Sequence, residues 1–539
     1  MRLFLLLAVA VAAWGQNPPP ANREIGSKAC AVCHASIAQK YALTGMARTS
    51  GRTAGDAFGE NLSHASFSDS ASGANYRVER TSSGLRLDFS REAAGVTGNR
   101  LLEWFIGSGS VGRSYLFADE GYLFQAPVSY YAAPGTWGLS PGYQGKRSIT
   151  LTRAVEPSCL QCHATGIQPV AGTQNGYQAQ PFREAGIGCE RCHGPGGNHA
   201  ARRRSGDIVN PARLDPARRD SVCAQCHLTG AARVATKRRT EAAFRAGDLL
   251  SDHVSVFTWS GAAGAGVSAT SHYEKLQQSA CKLGSGGKLW CGSCHDPHEQ
   301  PAAARRTAYY RERCLTCHQT NTCNEDPGLR KQAGDDCTSC HMPKGGARTV
   351  EHVVFTDHAI PRRPGNASKP ALSAPSLTPF FPVQPAPRDL ALAYAIAAMT
   401  EPAVRRQAFD LLQKAAALDP RDVPVLSQLA QFYDRMGQEE RAMELCERII
   451  ALDPAHTAAA VNLAIYRIKR GRTEEAVALW NSALRRNPAL SSARINLAVA
   501  QYRSGNRAEA EATLRQALRY EPDLEAARKL LQEVRSGGQ

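Results

Sequence analysis

Seven times along 539 residues the sequence repeats one unit: a cysteine, two residues, a second cysteine and at once a histidine. The units are Cys30, Cys33, His34; Cys159, Cys162, His163; Cys189, Cys192, His193; Cys223, Cys226, His227; Cys291, Cys294, His295; Cys314, Cys317, His318; and Cys337, Cys340, His341. In this arrangement two thiols form thioethers with the vinyl groups of a porphyrin, and the next residue places an imidazole under the iron. A structural zinc site gives no reason for a histidine after every cysteine pair, and neither does a disulfide or redox CxxC. The repeat therefore implies seven covalently attached haem c groups, with the fourteen cysteines as anchors and the seven histidines as proximal iron ligands.

That constraint sets the expected fold. From Pro157 to His358 the boxes follow one another closely, with glycine, proline and polar residues between them. Such a stretch cannot build a large core from side chains, so the expectation is a haem-rich region of short helices and irregular loops, its core completed by porphyrin.

The other face of each iron separates carriers from catalysts. A second imidazole leaves no vacant site, whereas an open face admits a substrate. Of 15 histidines, seven sit in boxes and His456 falls in the C-terminal repeats. His64, His199, His253, His272, His298, His352 and His358 remain as candidate distal ligands, with Met46 as a thioether alternative. His298 and His199 follow their own box histidines too closely to fold back easily, so each is expected to cap a neighbouring haem. No catalytic residue is assigned. Among the other cysteines, Cys446 occupies a helical position that wants a hydrophobe, and Cys281 with Cys323 form a candidate disulfide.

The segments SKACAVCHASIAQKYALTGMARTS and GIGCERCHGPGGNH, with the boxes VCAQCHLTG, CGSCHDPHE and CTSCHMPK, resemble the cytochrome c-554-like multihaem cytochromes over roughly residues 27 to 360. The resemblance implies electron carriage, and more distantly enzymes acting on nitrogen and sulfur compounds. In such carriers a histidine shortly after the first box serves as a distal ligand; Met46 stands there in this sequence, which leaves the role to Met46 or His64. The nitrite-reducing relatives carry a CxxCK box, and this sequence has none.

The remaining sequence frames this region. The start, MRLFLLLAVAVAAWGQ, reads as a secretory signal peptide over residues 1–15, its apolar run too short to span a bilayer. Export points to the bacterial periplasm, with the cell surface as the alternative. The net charge of +16 raises nucleic acid as a partner. Export and the lack of interleaved aromatics near Arg202–Arg204 and Lys237–Arg239 argue against it. Residues 16–360 form the expected cytochrome part, with a small β insertion at about 60–150 signalled by YRVERT, LRLDFS and YLFQAPVSYY. A proline-rich linker follows at 361–387.

Residues 388–536 then repeat with a period of 34: Pro420, Pro454, Pro488 and Pro522 are in register, as are Gly437, Gly471 and Gly505. Leu429–Ala430, Leu463–Ala464 and Leu497–Ala498 recur, with Ala442, Ala476 and Ala510 on the second helices. This is the tetratricopeptide (TPR) pattern, an all-α solenoid that usually binds a protein or peptide. The whole is expected to be an exported seven-haem electron-transfer protein docked through its repeats to a redox partner, with no transmembrane span after signal cleavage. The alternative is a multihaem reductase or oxidase of small nitrogen or sulfur compounds with one open haem.

Overall fold

A computed structural model describes residues 22–54, 59–260, 272–319, 323–346, 354–361 and 375–536. The leader segment and His352 lie outside the described residues.

Most boxes lie on or at the end of a short helix, and the spacing explains why. Cysteine and histidine four residues apart face the same side of a helical turn. The turn is closed by backbone hydrogen bonds from His34, His193, His295 and His318 to Cys30, Cys189, Cys291 and Cys314, at 2.9–3.0 Å. The helices of this part are α1 (Ser27–Ala31), α2 (Ala35–Tyr41), α3 (Pro157–Leu160), α4 (Glu190–His193), α5 (Gly197–Arg202) and α6 (Pro216–His227). They continue with α7 (His272–Gln278), α8 (Ala280–Gly284), α9 (Cys291–Cys294), α10 (Arg306–Leu315), α11 (Pro327–Gln332) and α12 (Cys337–His341).

The same part also holds more sheet than a small insertion. Strands β1 (Ser50–Arg52), β2 (Ser66–Asp69), β3 (Ala74–Thr81), β4 (Gly84–Arg91), β5 (Val96–Leu102), β6 (Trp104–Ile106), β7 (Gly112–Asp119), β8 (Tyr122–Tyr131) and β9 (Thr136–Leu139) form two antiparallel sheets. Their orders are β1-β6-β7-β8-β9 and β2-β3-β4-β5. Alternation drives the pairing: Tyr76 and Val78 on β3, with Leu85, Leu87 and Phe89 on β4, turn inward onto Tyr115, Phe117 and Phe124. The β7–β8 hairpin turns on Glu120 (φ 51°) and Gly121 (φ 84°), the two positive φ angles that a tight two-residue loop requires.

Smaller sheets lie among the boxes: β10 (Ala164–Pro169) with β11 (Tyr177–Ala185), β12 (Ala232–Ala235) with β13 (Val254–Trp259), and β14 (Lys344–Gly346) with β15 (Val354–Thr356). The cytochrome part thus mixes sheets and helices. Strand β16 (Leu377–Pro379), from the proline-rich stretch, completes the β12–β13 sheet by pairing Phe257 with Pro379 and Trp259 with Leu377.

The C-terminal part is the expected helical solenoid. It comprises α13 (Pro387–Ala397), α14 (Arg405–Leu418), α15 (Val423–Arg435), α16 (Glu439–Leu452), α17 (Thr457–Lys469), α18 (Thr473–Arg486), α19 (Ser491–Arg503), α20 (Arg507–Tyr520) and α21 (Glu525–Ser536). The repeated alanines are buried where helices cross, and Gly437, Gly471 and Gly505 take φ of 71–84° in the turn within each repeat. Cys446 is a core thiol, pushed up to about 12 by burial.

The solenoid is fastened to the cytochrome part at two places. Near its start, α13 shares a core with Ala232, Val234, Phe257 and Leu377, and Arg388 bridges Asp389 (2.7 Å) and Asp422 (2.6 Å). Lys237, from one of the basic clusters, pairs with Asp419 and with Asp422 (2.8 Å). Near its end, Tyr520 packs 5.3 Å from Phe124 inside the sheet core. There the buried Asp523 accepts from the Ile149 amide (3.0 Å) and pairs with Arg91 (2.8 Å). Asn487 donates to Gln174 at 3.0 Å. Asp419, Asp422, Asn487 and Asp523 all lie in turns joining one repeat to the next, so one edge of the solenoid carries the attachment.

Candidate haem sites

All seven box histidines and every box cysteine except Cys159 line one continuous cavity of about 4430 Å³. Ordinary small-ligand pockets hold about 300–1,000 Å³, so this space is several cofactors in size. Its walls are largely apolar, with Val32, Ile37, Ile106, Leu276, Leu289, Leu315 and Leu329 among them. Thiol pairs with an adjacent imidazole, opening into an apolar space, fit covalent haem c.

Four box histidines each face a second imidazole. The ring of His34 lies near-parallel to that of His199 (centroids 6.3 Å apart, planes at 13°), that of His193 to His298 (5.9 Å, 14°) and that of His295 to His358 (6.2 Å, 29°). His227 meets His272 edge-on at 5.5 Å, and His272 in turn lies 4.9 Å from His358. Two imidazoles that each bind one metal through Nε2 at about 2 Å set their centroids roughly 6 Å apart, the spacing of the three near-parallel pairs. Both His199 and His298 lie against the histidine of another box rather than their own.

Hydrogen bonds at the far nitrogen orient these rings. Nδ1 of His193 donates to the Val209 carbonyl (2.8 Å), that of His341 to Pro361 (2.9 Å), that of His199 to Arg204 (2.8 Å) and that of His358 to Thr356 (3.0 Å). Nδ1 of His163 meets the Thr49 hydroxyl (2.8 Å), and that of His295 meets Tyr310 (3.2 Å). Each bond engages Nδ1 and leaves Nε2 as the nitrogen available to a metal. Burial, with repulsion from neighbouring imidazoles, lowers His272 to about 3 and His295 to about 4. Burial also lowers His163, His193, His227 and His358, so the rings are neutral and competent to bind a metal at pH 7.

Thiols of different boxes approach one another: Cys30 lies near Cys189, Cys162 near Cys226, Cys223 near Cys291 and Cys314 near Cys337. The first box is thus beside the third, the second and the fifth are beside the fourth, and the sixth is beside the seventh. Burial and the Cys189 thiol push Cys30 up to about 11, and burial pushes Cys192 to about 11 and Cys314 to about 12. Glu190, inside the third box, locks it to the first by accepting from the amides of Ile25 (2.9 Å), Gly26 (2.8 Å) and Gly196 (2.8 Å).

The other candidate ligands are elsewhere. His64 is exposed in the turn before β2 and does not line the cavity. His253 is fully buried outside the cavity, its ring nitrogens engaged by the Thr240 carbonyl (2.9 Å) and Asp248 (3.2 Å). Met46 lines the cavity, but His34 already faces His199. Among the described residues, His163, His318 and His341 have no stacked or edge-on imidazole partner. Among the described residues, four of the candidate histidines, His199, His272, His298 and His358, face a box histidine. Cys281 and Cys323 stand as separate thiols. Thr49, Val209, Tyr310 and Pro361, which orient box histidines, carry no signal in the sequence.

These features define the class: a c-type multihaem cytochrome segment joined to a tetratricopeptide solenoid. Residues 140–194 match the family described as Cytochrome c554 and c-prime, and residues 405–464 and 467–534 match the tetratricopeptide repeat. The sequence is 28% identical over 223 residues to the C-type polyheme cytochrome OmcB of Geobacter sulfurreducens (strain DL-1 / KN400), covering 40% of this chain and 23% of that protein. It is 24% identical over 213 residues to the Multiheme cytochrome MtrA of Shewanella baltica (strain OS185), covering 37% of this chain and 57% of that one. Among solved structures, a crystal structure of MamA matches with a TM-score of 0.24 and 18% identity, covering 26% of this chain and 83% of that one. No helix among the described residues is long and apolar enough to cross a membrane.

Proposed function

We propose that this chain is an exported electron-transfer protein that carries seven covalent haem c groups and docks to a redox partner protein through its tetratricopeptide repeats. The observation that carries the reading is the set of four facing imidazole pairs inside one cavity. Covalently bound haem supplies reversible one-electron chemistry.

The protein's own residues do the rest. The thiols of Cys30, Cys33, Cys159, Cys162, Cys189, Cys192, Cys223, Cys226, Cys291, Cys294, Cys314, Cys317, Cys337 and Cys340 would anchor the haems, and each box histidine would hold an iron through one ring nitrogen. His199, His272, His298 and His358 would supply a second nitrogen at four sites and exclude water there. The neighbouring thiols set the first site beside the third, the fourth beside the second and the fifth, and the sixth beside the seventh, and electron transfer between sites requires such adjacency. The solenoid edge that grips the cytochrome part is committed, so the partner uses the remaining faces. The periplasm or the cell surface suits such a protein, because haem c attachment and export go together.

Intact mass after export into the periplasm tests the reading: the expected mass is that of the processed chain plus seven haems. A mass with no covalent addition would refute it. A second reading, catalysis at an open iron, is favoured by His163, His318 and His341, box histidines with no facing imidazole among the described residues. Carbon monoxide binding to the reduced protein would support that reading; no adduct would dismiss it.

A further inference from the structure

A buried knot of charge sits between the fourth and fifth boxes. Asp220, on α6 one turn before Cys223, accepts from Lys282 Nζ (2.9 Å), Arg219 Nε (3.1 Å) and the Tyr273 hydroxyl (3.3 Å). Lys282 also donates to the Leu289 carbonyl at 2.8 Å, and the Arg219 guanidinium lies 4.9 Å over the ring of Trp290, the residue before Cys291. Asp220, Lys282 and Arg219 are 3%, 7% and 9% exposed, respectively. The knot thereby joins α6, α7, α8 and the start of α9, the helices that carry Cys223 and Cys291 among them.

Two cations on one carboxylate leave a net positive charge in a poorly solvated place. Stability alone does not account for this, because burying ions costs several kcal/mol each and apolar replacements are often as stable. The charged cluster near Arg388 is different, since Arg388 and Lys237 face Asp389, Asp422 and Asp419. A fixed positive charge favours whichever neighbouring oxidation state is the more negative, and low polarity strengthens the effect.

We propose that Asp220, Lys282 and Arg219 form an electrostatic set-point that raises the reduction potentials of the sites at Cys223–His227 and Cys291–His295 above the values their ligands alone would give. The proposal rests on the haem reading. It makes these two neighbouring sites a place where electrons dwell. Lys282 and Asp220 act here as positioning residues through the field they impose.

Redox titration of the intact holoprotein, followed by visible absorbance and by electron paramagnetic resonance at fixed potentials, tests this. Lys282→Met and Arg219→Gln should each lower the midpoints of two components, Asp220→Asn should raise the same two, and Lys282→Arg should leave them in place. Shifts of one sign in all the charge-removing variants, no shifts, or loss of haem from them with no opposed shift would mark a purely structural tie and overturn the proposal. Wild-type protein lacking covalent haem would overturn the haem reading instead.

Discussion

The two ends of this molecule solve burial in opposite ways. In the repeats, each helix pair finds its partner surface in the next pair, and Leu429, Leu463, Leu497, Trp480 and Leu514 are all buried by side chains. Around the boxes, Val32 is 83% exposed and Leu329 55% exposed, and both line the large cavity. Side chains complete the first fold; the second is shaped around something they do not supply. Order in the box region should therefore depend on haem attachment, and order in the repeats should not.

Removing the attachment chemistry gives the largest expected effect. Chains produced without haem ligation should lose protection across residues 157–361 in hydrogen exchange, while α14 to α20 stay protected. Equal loss in both regions would break the comparison. Next is the seam between them. Asp523→Ala strips partners from Arg91 and the Ile149 amide, and should cost about 3 kcal/mol by analogy with other broken buried pairs. Denaturant unfolding should then resolve the solenoid from the sheets as separate transitions.

Smaller effects sharpen the picture of the repeats. Gly471→Ala places a Cβ at φ 73° and should cost about 1–2 kcal/mol, read from the helical transition alone. His456 caps α17 by accepting from the Ala459 amide at 3.2 Å, and burial lowers its pKa. A group depressed in the folded state gives stability above its unfolded pKa, about 6.5, that is lost as pH falls below it. The repeats should therefore melt slightly lower at pH 5 than at pH 7, and His456→Asn, which keeps a capping acceptor, should remove the difference.

What the sequence displayed follows the same division. The box spacing announced the anchors and proximal histidines because that chemistry is local, and the register of Pro420 to Pro522 announced the solenoid because each repeat contacts its neighbours. Long-range partnerships were not legible. Nothing near His253 signals that Thr240 and Asp248 occupy its ring, and nothing near His199 signals that it faces His34 rather than its own box. Met46 or His64 was expected to distinguish the first site, yet the structure sets His199 against His34 there and leaves His163, His318 and His341 without an imidazole partner among the described residues. The proline-rich stretch, read as a linker, contributes β16 to a sheet, a pairing set by Phe257 and Trp259 more than a hundred residues away.

The central claim is that facing imidazoles hold irons in one series. Low-temperature electron paramagnetic resonance of the fully oxidised protein, quantified against total iron, tests it most directly. Low-spin signals from at least four irons per chain are expected, one for each pair His34–His199, His193–His298, His295–His358 and His227–His272. A spectrum dominated by high-spin iron, or with fewer than four low-spin centres, would contradict it.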